Sequence, residues 1–303
     1  MSMLTISQPV YTLENELLLS AGNVLSEETL ENLISSNKST SYQTHSLLHY
    51  GSIRKDMLEF MHEPPYKTVF ADKNKVAEIL DLMKHVDLII PVLQSLDYFR
   101  RHDFYTYRHF LMVFALSTIL AKDFFSDVKD RMSLAQTGPT HDIGKICVSL
   151  EILKKNDPLS RAELNILKHH TAAGYVLLSY YYRDTRNLTV KVARDHHERI
   201  DNSGYPRAIN LNDKMIEIIA VSDVYDALIS PRPYRTESYD NRTALEEITT
   251  MAEKGKFSWD VVKALVAHNR KSKPHPSETT VSPEKRGTPP SDNVYGVIAE
   301  DDI

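Results

Sequence analysis

Cysteine is almost absent. Cys147 is the only one in 303 residues, so no disulfide can form within the chain, and a reducing compartment is expected. The opening residues, MSMLTISQPVYTLENELLL, lack a basic stretch followed by a long apolar run, which predicts no signal peptide. Long hydrophobic runs are missing throughout: the longest, Phe110 to Ala121, contains Ser117 and Thr118. It falls short of the ~18 apolar residues that a membrane helix needs. Positive charge is not in excess either, with 36 Lys and Arg against 41 Asp and Glu and a net charge of −5. The sequence pI is near 6.2. This balance argues against long nucleic acid as a partner, whereas a local basic cluster still suffices for a small anionic ligand. The expectation is a cytoplasmic protein without a membrane segment. At 42% hydrophobic and 25% charged residues, it has enough apolar content for a real core.

Strand-like alternation is scarce, and no internal repeat is visible. Val10 to Leu13 and Leu17 to Leu19 read as short strands around Glu14-Asn15-Glu16. Ser26 then opens a helix in SEETLENLI as its N-cap. Residues 36–50 are polar and indistinct, and Glu63-Pro64-Pro65 breaks the chain, because proline cannot continue a helix. Residues 1–70 therefore read as a small accessory or regulatory region. From Asp72 to His268 the period is helical, predicting helices at 73–84, 86–101, 105–121, 126–136, 160–182, 187–197, 213–229, 241–254 and 258–269. The fold class is mainly α, a helical bundle over residues 71–270. Five prolines (274, 276, 283, 289, 290) fall among Ser, Thr and Lys near the end. Residues 271–303 read as a disordered tail, in which Val294, Tyr295, Val297 and Ile298 offer a docking patch.

His141 and Asp142 are adjacent in THDIGKI. Another such pair, His102-Asp103, reads as a solvated helix entry. In SRAELNILKHHTAAGYVLL, His170 shares a stripe with Ile166, Leu167, Ala173, Gly174 and Leu177, while His169 faces away. A lone histidine there is more often a core residue bonded to a backbone carbonyl. Asp223 shares a face with Ile216, Ile219, Ala220 and Ala227, so its carboxylate points inward and needs a cation. His109, His141, His170 and His196 follow one another at intervals of 32, 29 and 26 residues, and Asp223 follows His197 by 26. Each interval suits a helix, a loop and a return helix. Seven ligand-type groups can then converge at one end of the bundle: His109, His141, Asp142, His170, His196, His197 and Asp223. Imidazole with carboxylate suits Fe, Mn or Zn better than Mg or Ca. Seven groups exceed one ion's needs and fit two ions about 3.5–4 Å apart.

The ordered pieces YTYRH (105–109), HDIGK (141–145), HHTAAG (169–174), HHERIDNSGYP (196–206) and SDVYDALISPRPYR (222–235) resemble the HD-GYP domain. That family is the bacterial cyclic-di-GMP phosphodiesterase branch of the HD metal-phosphohydrolases. FSWDVV (257–262) also fits, and the likeness spans roughly residues 85–268. The resemblance implies an HD-type helical bundle with two divalent metals, Fe first, Mn next, then Zn. It implies one metal held by His109, His141, Asp142 and Asp223, and a second held by His170, His196 and His197 with Asp142 bridging. Where some members carry a glutamate for a third metal, this chain has Tyr105, so two metals are expected. By the same resemblance, Asp142 and Lys145 are catalytic, with Lys145 as a cation for the phosphate. Tyr205, Arg232 and Arg235 would hold substrate, the arginines as forks for two phosphates.

The implied activity is hydrolysis of cyclic di-GMP to linear pGpG and on to GMP, by a metal-bridging hydroxide. Rival readings are a cyclic-di-GMP-binding signalling module with little turnover, and an HD hydrolase for another nucleotide. Protein partners are expected through the N-terminal region or tail, along with a homodimer. Several positions depart from the family pattern: Asn202 before Ser-Gly-Tyr-Pro, Arg207-Ala208-Ile209 after it, Gly138-Pro139-Thr140 before His141, and Phe110 after His109. Asn202 tolerates a left-handed backbone. Glu198 and Arg199 are expected to steady the helix end rather than to ligate.

Overall fold

The computed structural model describes residues 4–39, 41–231 and 237–290. Strands β1 (Val10–Tyr11) and β2 (Leu17–Leu19) pair antiparallel around a turn in which Asn15 takes φ 62. Helix α1 (Glu27–Ser36) starts where Ser26 Oγ accepts from the Thr29 amide. Next come β3 (Thr44–Ser46), which the polar reading of residues 36–50 does not anticipate, and α2 (Ile53–His62). The bundle follows with α3 (Lys73–Lys84), β4 (Asp87–Ile89), α4 (Ile90–His102), α5 (Phe104–Phe124) and α6 (Val128–Thr137). A 3-10 turn at Ile143–Cys147 and α7 (Leu150–Leu153) lead to α8 (Arg161–Lys168), α9 (His170–Tyr182) and α10 (Leu188–Asp195). Helices α11 (Lys214–Ile229), α12 (Asn241–Glu253) and α13 (Trp259–Asn269) complete it.

Side chains at the helix starts satisfy amides that the helices leave unbonded: Asp72 for α3, Asp127 for α6, Ser160 for α8, Asn187 for α10, Asp213 for α11 and Asp240 for α12. Each such cap is worth about 1 kcal/mol. Helices α5, α9 and α11 are apolar nearly all round and are buried nearly all round, as a central helix must be. Helix α5 packs against α4 and α11, and α9 against α10 and the 143–147 turn. The buried core is continuous: Ile6, Leu30, Leu47 and Tyr66 belong to the same cluster as Phe114, Leu177 and Ile219.

Four expectations change. The helix predicted at 86–101 opens instead as β4, whose Asp87–Ile89 pair antiparallel with Ser46–Thr44, and α4 begins afterwards with Pro91 in its first turn. The helix predicted at 160–182 is interrupted at His169. Asp103 is buried, not solvated: it caps α5, accepting from Thr106 N at 3.3 Å and Thr106 Oγ1 at 2.6 Å. In place of a disordered run from 271, residues 273–287 lie along the bundle. Lys273 donates to the Thr68 carbonyl, Thr279 is buried, and Glu246 accepts from the Arg286 and Gly287 amides. Side-chain-to-backbone hydrogen bonds thus tie this segment to the bundle. The patch Val294–Ile298 lies outside the described residues.

Candidate metal centre

Four helix ends and one helix middle converge. His109 lies in the second turn of α5, His141 and Asp142 just after α6, and His170 at the start of α9. His196 and His197 follow the last residue of α10, while Asp223 sits mid-way along α11. Gly144 permits this meeting, because a Cβ there would stand 1.9 Å from the His170 carbonyl oxygen. The break at Gly138-Pro139-Thr140 still delivers His141: its amide donates to the Thr137 carbonyl at 2.9 Å. Phe110 packs edge-on against the His141 ring, at 5.7 Å between centroids.

The imidazoles are oriented by their outer nitrogens. Nδ1 of His141 lies 2.7 Å from the Gly138 carbonyl, that of His170 2.6 Å from Leu167 O, and that of His196 2.9 Å from Val192 O. His109 Nδ1 lies 2.6 Å from Asp226 Oδ2. A carbonyl can only accept, so each Nδ1 carries the proton and Nε2 turns to the centre. There His109 Nε2 and His141 Nε2 are 3.2 Å apart, and His170 Nε2 and His196 Nε2 are 3.4 Å apart.

Asp142 stands between the two pairs and divides its oxygens between them. Oδ2 is 3.5 Å from both His109 Nε2 and His141 Nε2. Oδ1 is 3.0 Å from His170 Nε2 and 3.5 Å from His196 Nε2. Asp223 Oδ1 is 3.1 Å from His109 Nε2, and its Oδ2 is 3.9 Å from His197 Nδ1. One ligand atom each from Asp142, His170, His196 and His197 falls within 4.8 Å of the others, and His109, His141 and Asp223 form a second such group. Thus all seven candidate ligands read from the sequence come together.

The electrostatics call for a cation. Burial pushes His141 down to about 3, and burial also lowers His170 and His197, which keeps these rings neutral. Among the described residues, buried Asp142 Oδ1 has no hydrogen-bond donor, and His170 Nε2, 3.0 Å away, presents a lone pair to it. Burial alone would raise the Asp142 and Asp223 carboxyls. Lys145 and the histidines hold Asp142 well below the usual carboxylate range, and His109 does the same for Asp223. For His109, burial opposes the charge, but Asp142, Asp223 and Asp226 outweigh it and carry the ring up to about 10. Opposed lone pairs around ionised carboxylates are a donor set that fits divalent metal of the nitrogen–oxygen type.

A loop at residues 203–206, the flap, lies beside this cluster. The Tyr205 ring stacks on His197 with centroids 4.5 Å apart and planes 18° from parallel, and Lys168 Nζ sits 5.2 Å from the Tyr205 centroid. Gly204 is required by close approach, since a Cβ would meet Glu198 Cα and His197 O at 2.4 Å. Asn202 takes φ 64, the left-handed turn expected of it. Buried Glu198 accepts from the Arg207 amide at 2.7 Å and the Ile209 amide at 3.0 Å. Arg207 also grips both oxygens of Asp195 at 3.1 and 2.7 Å. The Glu198 carboxylate therefore holds the flap, and Arg199 closes on the His196 and Glu198 carbonyls.

Lys145 donates to Asp142 Oδ2 with its side chain 15% exposed, at the edge of the cluster. Arg232 and Arg235 lie outside the described residues. His169 faces away from the cluster yet is buried, its Nδ1 3.3 Å from Ser7 Oγ beneath the N-terminal segment. Sequence reasoning misses Asp226, which is fully buried on His109. Its signal was available, because Asp226 lies three residues beyond Asp223 on one helix face.

A family model described as the HD domain matches residues 67–261, well over half of the chain. The chain belongs to the HD-domain family. The likeness to HD-GYP proteins read from its motifs agrees with this. A cyclic di-GMP phosphodiesterase of Thermotoga maritima is 33% identical over 186 residues, covering 60% of this chain and 50% of that protein. A 3′3′-cGAMP-specific phosphodiesterase of Vibrio cholerae is 34% identical over 177 residues, covering 57% of this chain and 38% of the other. The chain thus spans half or less of the length of these relatives. Among solved structures, an HDG"Y"P protein from Bdellovibrio bacteriovorus aligns over 86% of this chain and 94% of its own, at 17% identity and a TM-score of 0.47. Among the described residues, no helix is long and apolar enough to cross a membrane.

Proposed function

We propose that this HD domain is a metal-dependent phosphodiesterase that hydrolyses cyclic di-GMP to linear pGpG and on to GMP. The observation that carries the reading is the division of Asp142 between two sets of imidazole nitrogens, the arrangement a carboxylate bridging two ions requires. His109, His141 and Asp223 would hold one ion, and His170, His196 and His197 the other, with Asp142 common to both. Iron is the first expectation for both ions, then manganese, then zinc. When bound, the ions supply a hydroxide near neutral pH and offset charge on the phosphoryl oxygens. The names of the relatives support a cyclic dinucleotide as substrate.

The chain's own groups have separable tasks. The outer hydrogen bonds of the four imidazoles hold their Nε2 atoms on target before substrate arrives. Lys145 places a cation beside Asp142, where it can meet a phosphate oxygen as charge builds in the transition state. Tyr205 offers an aromatic face to a guanine or a hydroxyl to a phosphate. The motif gives Arg232 and Arg235 to the two phosphates. Residues 1–70 serve as the accessory region, and this region or the tail would meet any protein partner.

The test is anaerobic turnover of cyclic di-GMP by iron- and manganese-loaded protein, with a His141→Ala, Asp142→Ala double variant as control. Linear product well above that control is expected. Binding without product would replace this reading with that of a nucleotide-sensing module. Faster hydrolysis of 3′3′-cGAMP or another nucleotide would move the substrate.

A further inference from the structure

The His109 Nδ1 contact with Asp226 is one end of a longer buried chain of groups. Asp226 Oδ1 accepts from the Tyr66 hydroxyl, and Ser230 Oγ donates to Asp226 Oδ2 at 3.2 Å. Tyr66 and Ser230 oxygens are themselves 2.6 Å apart. Tyr66 is fully buried, as is Asp226. Tyr66 lies one position before residues 67–261, the span that matches the HD family.

The sequence around Tyr66 explains its aim. Pro64 and Pro65 stop α2 and force a turn, in which the Tyr66 amide donates to the Glu63 carbonyl at 3.0 Å. Asn241 Nδ2 grips the Pro65 carbonyl at 2.9 Å and fixes the turn against the start of α12. The same turn also reaches the neighbour of His109. Arg108 donates to Glu63 Oε2 at 3.2 Å and to the Pro231 carbonyl at 3.3 Å. The accessory region therefore approaches the centre through two adjacent residues of α5.

We propose that Tyr66 is a positioning residue of the metal centre: its hydroxyl fixes the Asp226 carboxylate that orients His109. A carboxylate that orients a ligating imidazole must itself be held, and outer partners of this kind change metal affinity by about 10- to 100-fold. With the Tyr66 hydroxyl removed, Asp226 keeps Ser230 and His109 as its hydrogen-bond partners among the described residues, and the His109 Nε2 direction loosens. This inference rests on the reading of the cluster as a metal site. It concerns the ion held by His109, His141 and Asp223, and leaves the ion held by His170, His196 and His197 unchanged.

The experiment is cobalt(II) titration against a chromophoric chelator for the wild type, Tyr66→Phe, Asp226→Asn and the double variant. Far-UV circular dichroism and a thermal melt accompany each. Wild type is expected to take up two equivalents. Tyr66→Phe should bind one of them about tenfold more weakly with the other unaltered. In the Asp226→Asn background, Tyr66→Phe should add less than a twofold further loss, because the hydroxyl then has no carboxylate to hold. A purely packing role would weaken binding equally in both backgrounds and overturns the proposal, as does wild-type affinity for both equivalents in Tyr66→Phe. If Tyr66→Phe loses cooperative unfolding, Ser230→Ala removes the other hydroxyl on Asp226 and carries the same comparison. A wild-type chain that takes up no cobalt overturns the metal reading itself and this inference with it.

Discussion

Tyr205 lies flat on the ring of His197, with centroids 4.5 Å apart and planes inclined by 18°. One face of an imidazole proposed to hold metal is thereby covered by the flap proposed to meet substrate. An aromatic pair of this kind is worth about 0.5–1.5 kcal/mol beyond its burial. Tyr205→Phe keeps the stack, and is expected to leave metal content unchanged. Tyr205→Ala removes it and is expected to raise KM for cyclic di-GMP by roughly 3- to 10-fold. Steady-state kinetics beside elemental analysis separates the two; an unchanged KM in Tyr205→Ala removes Tyr205 from the substrate site.

Asp142 and His197 differ in how many partners they serve. Asp142 faces four histidines, whereas His197 belongs to one group of donors. His197→Ala is expected to lose one metal equivalent and Asp142→Asn to deplete both, as read by mass spectrometry of desalted protein. Three tightly bound ions in the wild type would contradict the two-ion reading, because Tyr105 stacks beside His109 at 6.1 Å where a third-site carboxylate would stand.

His109 predicts a proton count. In the metal-free fold the three carboxylates carry it up to about 10 against the effect of burial. At pH 8 the ring is charged and must lose a proton to ligate. Metal uptake is therefore expected to release protons and to tighten as pH rises towards 10, measurable with an indicator dye in weak buffer. The sign for stability is the reverse. The charged ring favours the metal-free fold below 6.5, and that contribution fades as pH climbs through about 10.

His169 acts on the acid side. Burial pushes it down to about 4, with neighbouring His170 adding to the effect, and among the described residues its Nε2 has no hydrogen-bond partner. A histidine that is neutral when folded supports the fold above 6.5 and costs it progressively as pH falls towards 4. Over that window the loss is roughly 2–3 kcal/mol. Urea unfolding of metal-free protein at pH 7.5 and 5 should show it, with His169→Gln flattening the difference.

Glu198 anchors the flap through two backbone amides. Glu198→Ala leaves both amides without this acceptor in a half-buried place, at up to about 1–3 kcal/mol each. The melting temperature should fall by roughly 5 °C or more. Glu198→Gln, which keeps one acceptor oxygen, should fall less. Equal melting temperatures for all three proteins would mean that the flap does not depend on Glu198.

The helical bundle and the seven-residue cluster were legible because helical spacing and ligand chemistry leave local marks. Asp223 on an apolar stripe could not be explained without a cation, and the structure sets it 3.1 Å from His109 Nε2. What was not legible depends on distant partners. Nothing near Thr44–Ser46 announces pairing with Asp87–Ile89, because the strands are three residues long and meet only in the fold. His169 shows the same limit: helical phase turns it away from the cluster, and it meets a distant part of the chain, Ser7, 162 residues earlier, and the neighbouring Gln8 backbone. Tyr66 looked like the residue after a chain break, and its contact with Asp226 spans 160 positions.

The pairing of β3 with β4 has a consequence for fragments of this protein. The HD match begins at residue 67, a tempting place to cut. A chain started there would leave the backbone of Asp87–Ile89 as a bare edge, open to pairing with another molecule. It would also uncover the surfaces against which Leu47, Met57 and Phe60 are buried, and leave Asp226 without the Tyr66 hydroxyl. Such a fragment is expected to aggregate before it is assayed. Its inactivity would then report on a missing neighbour rather than on the chemistry of the centre.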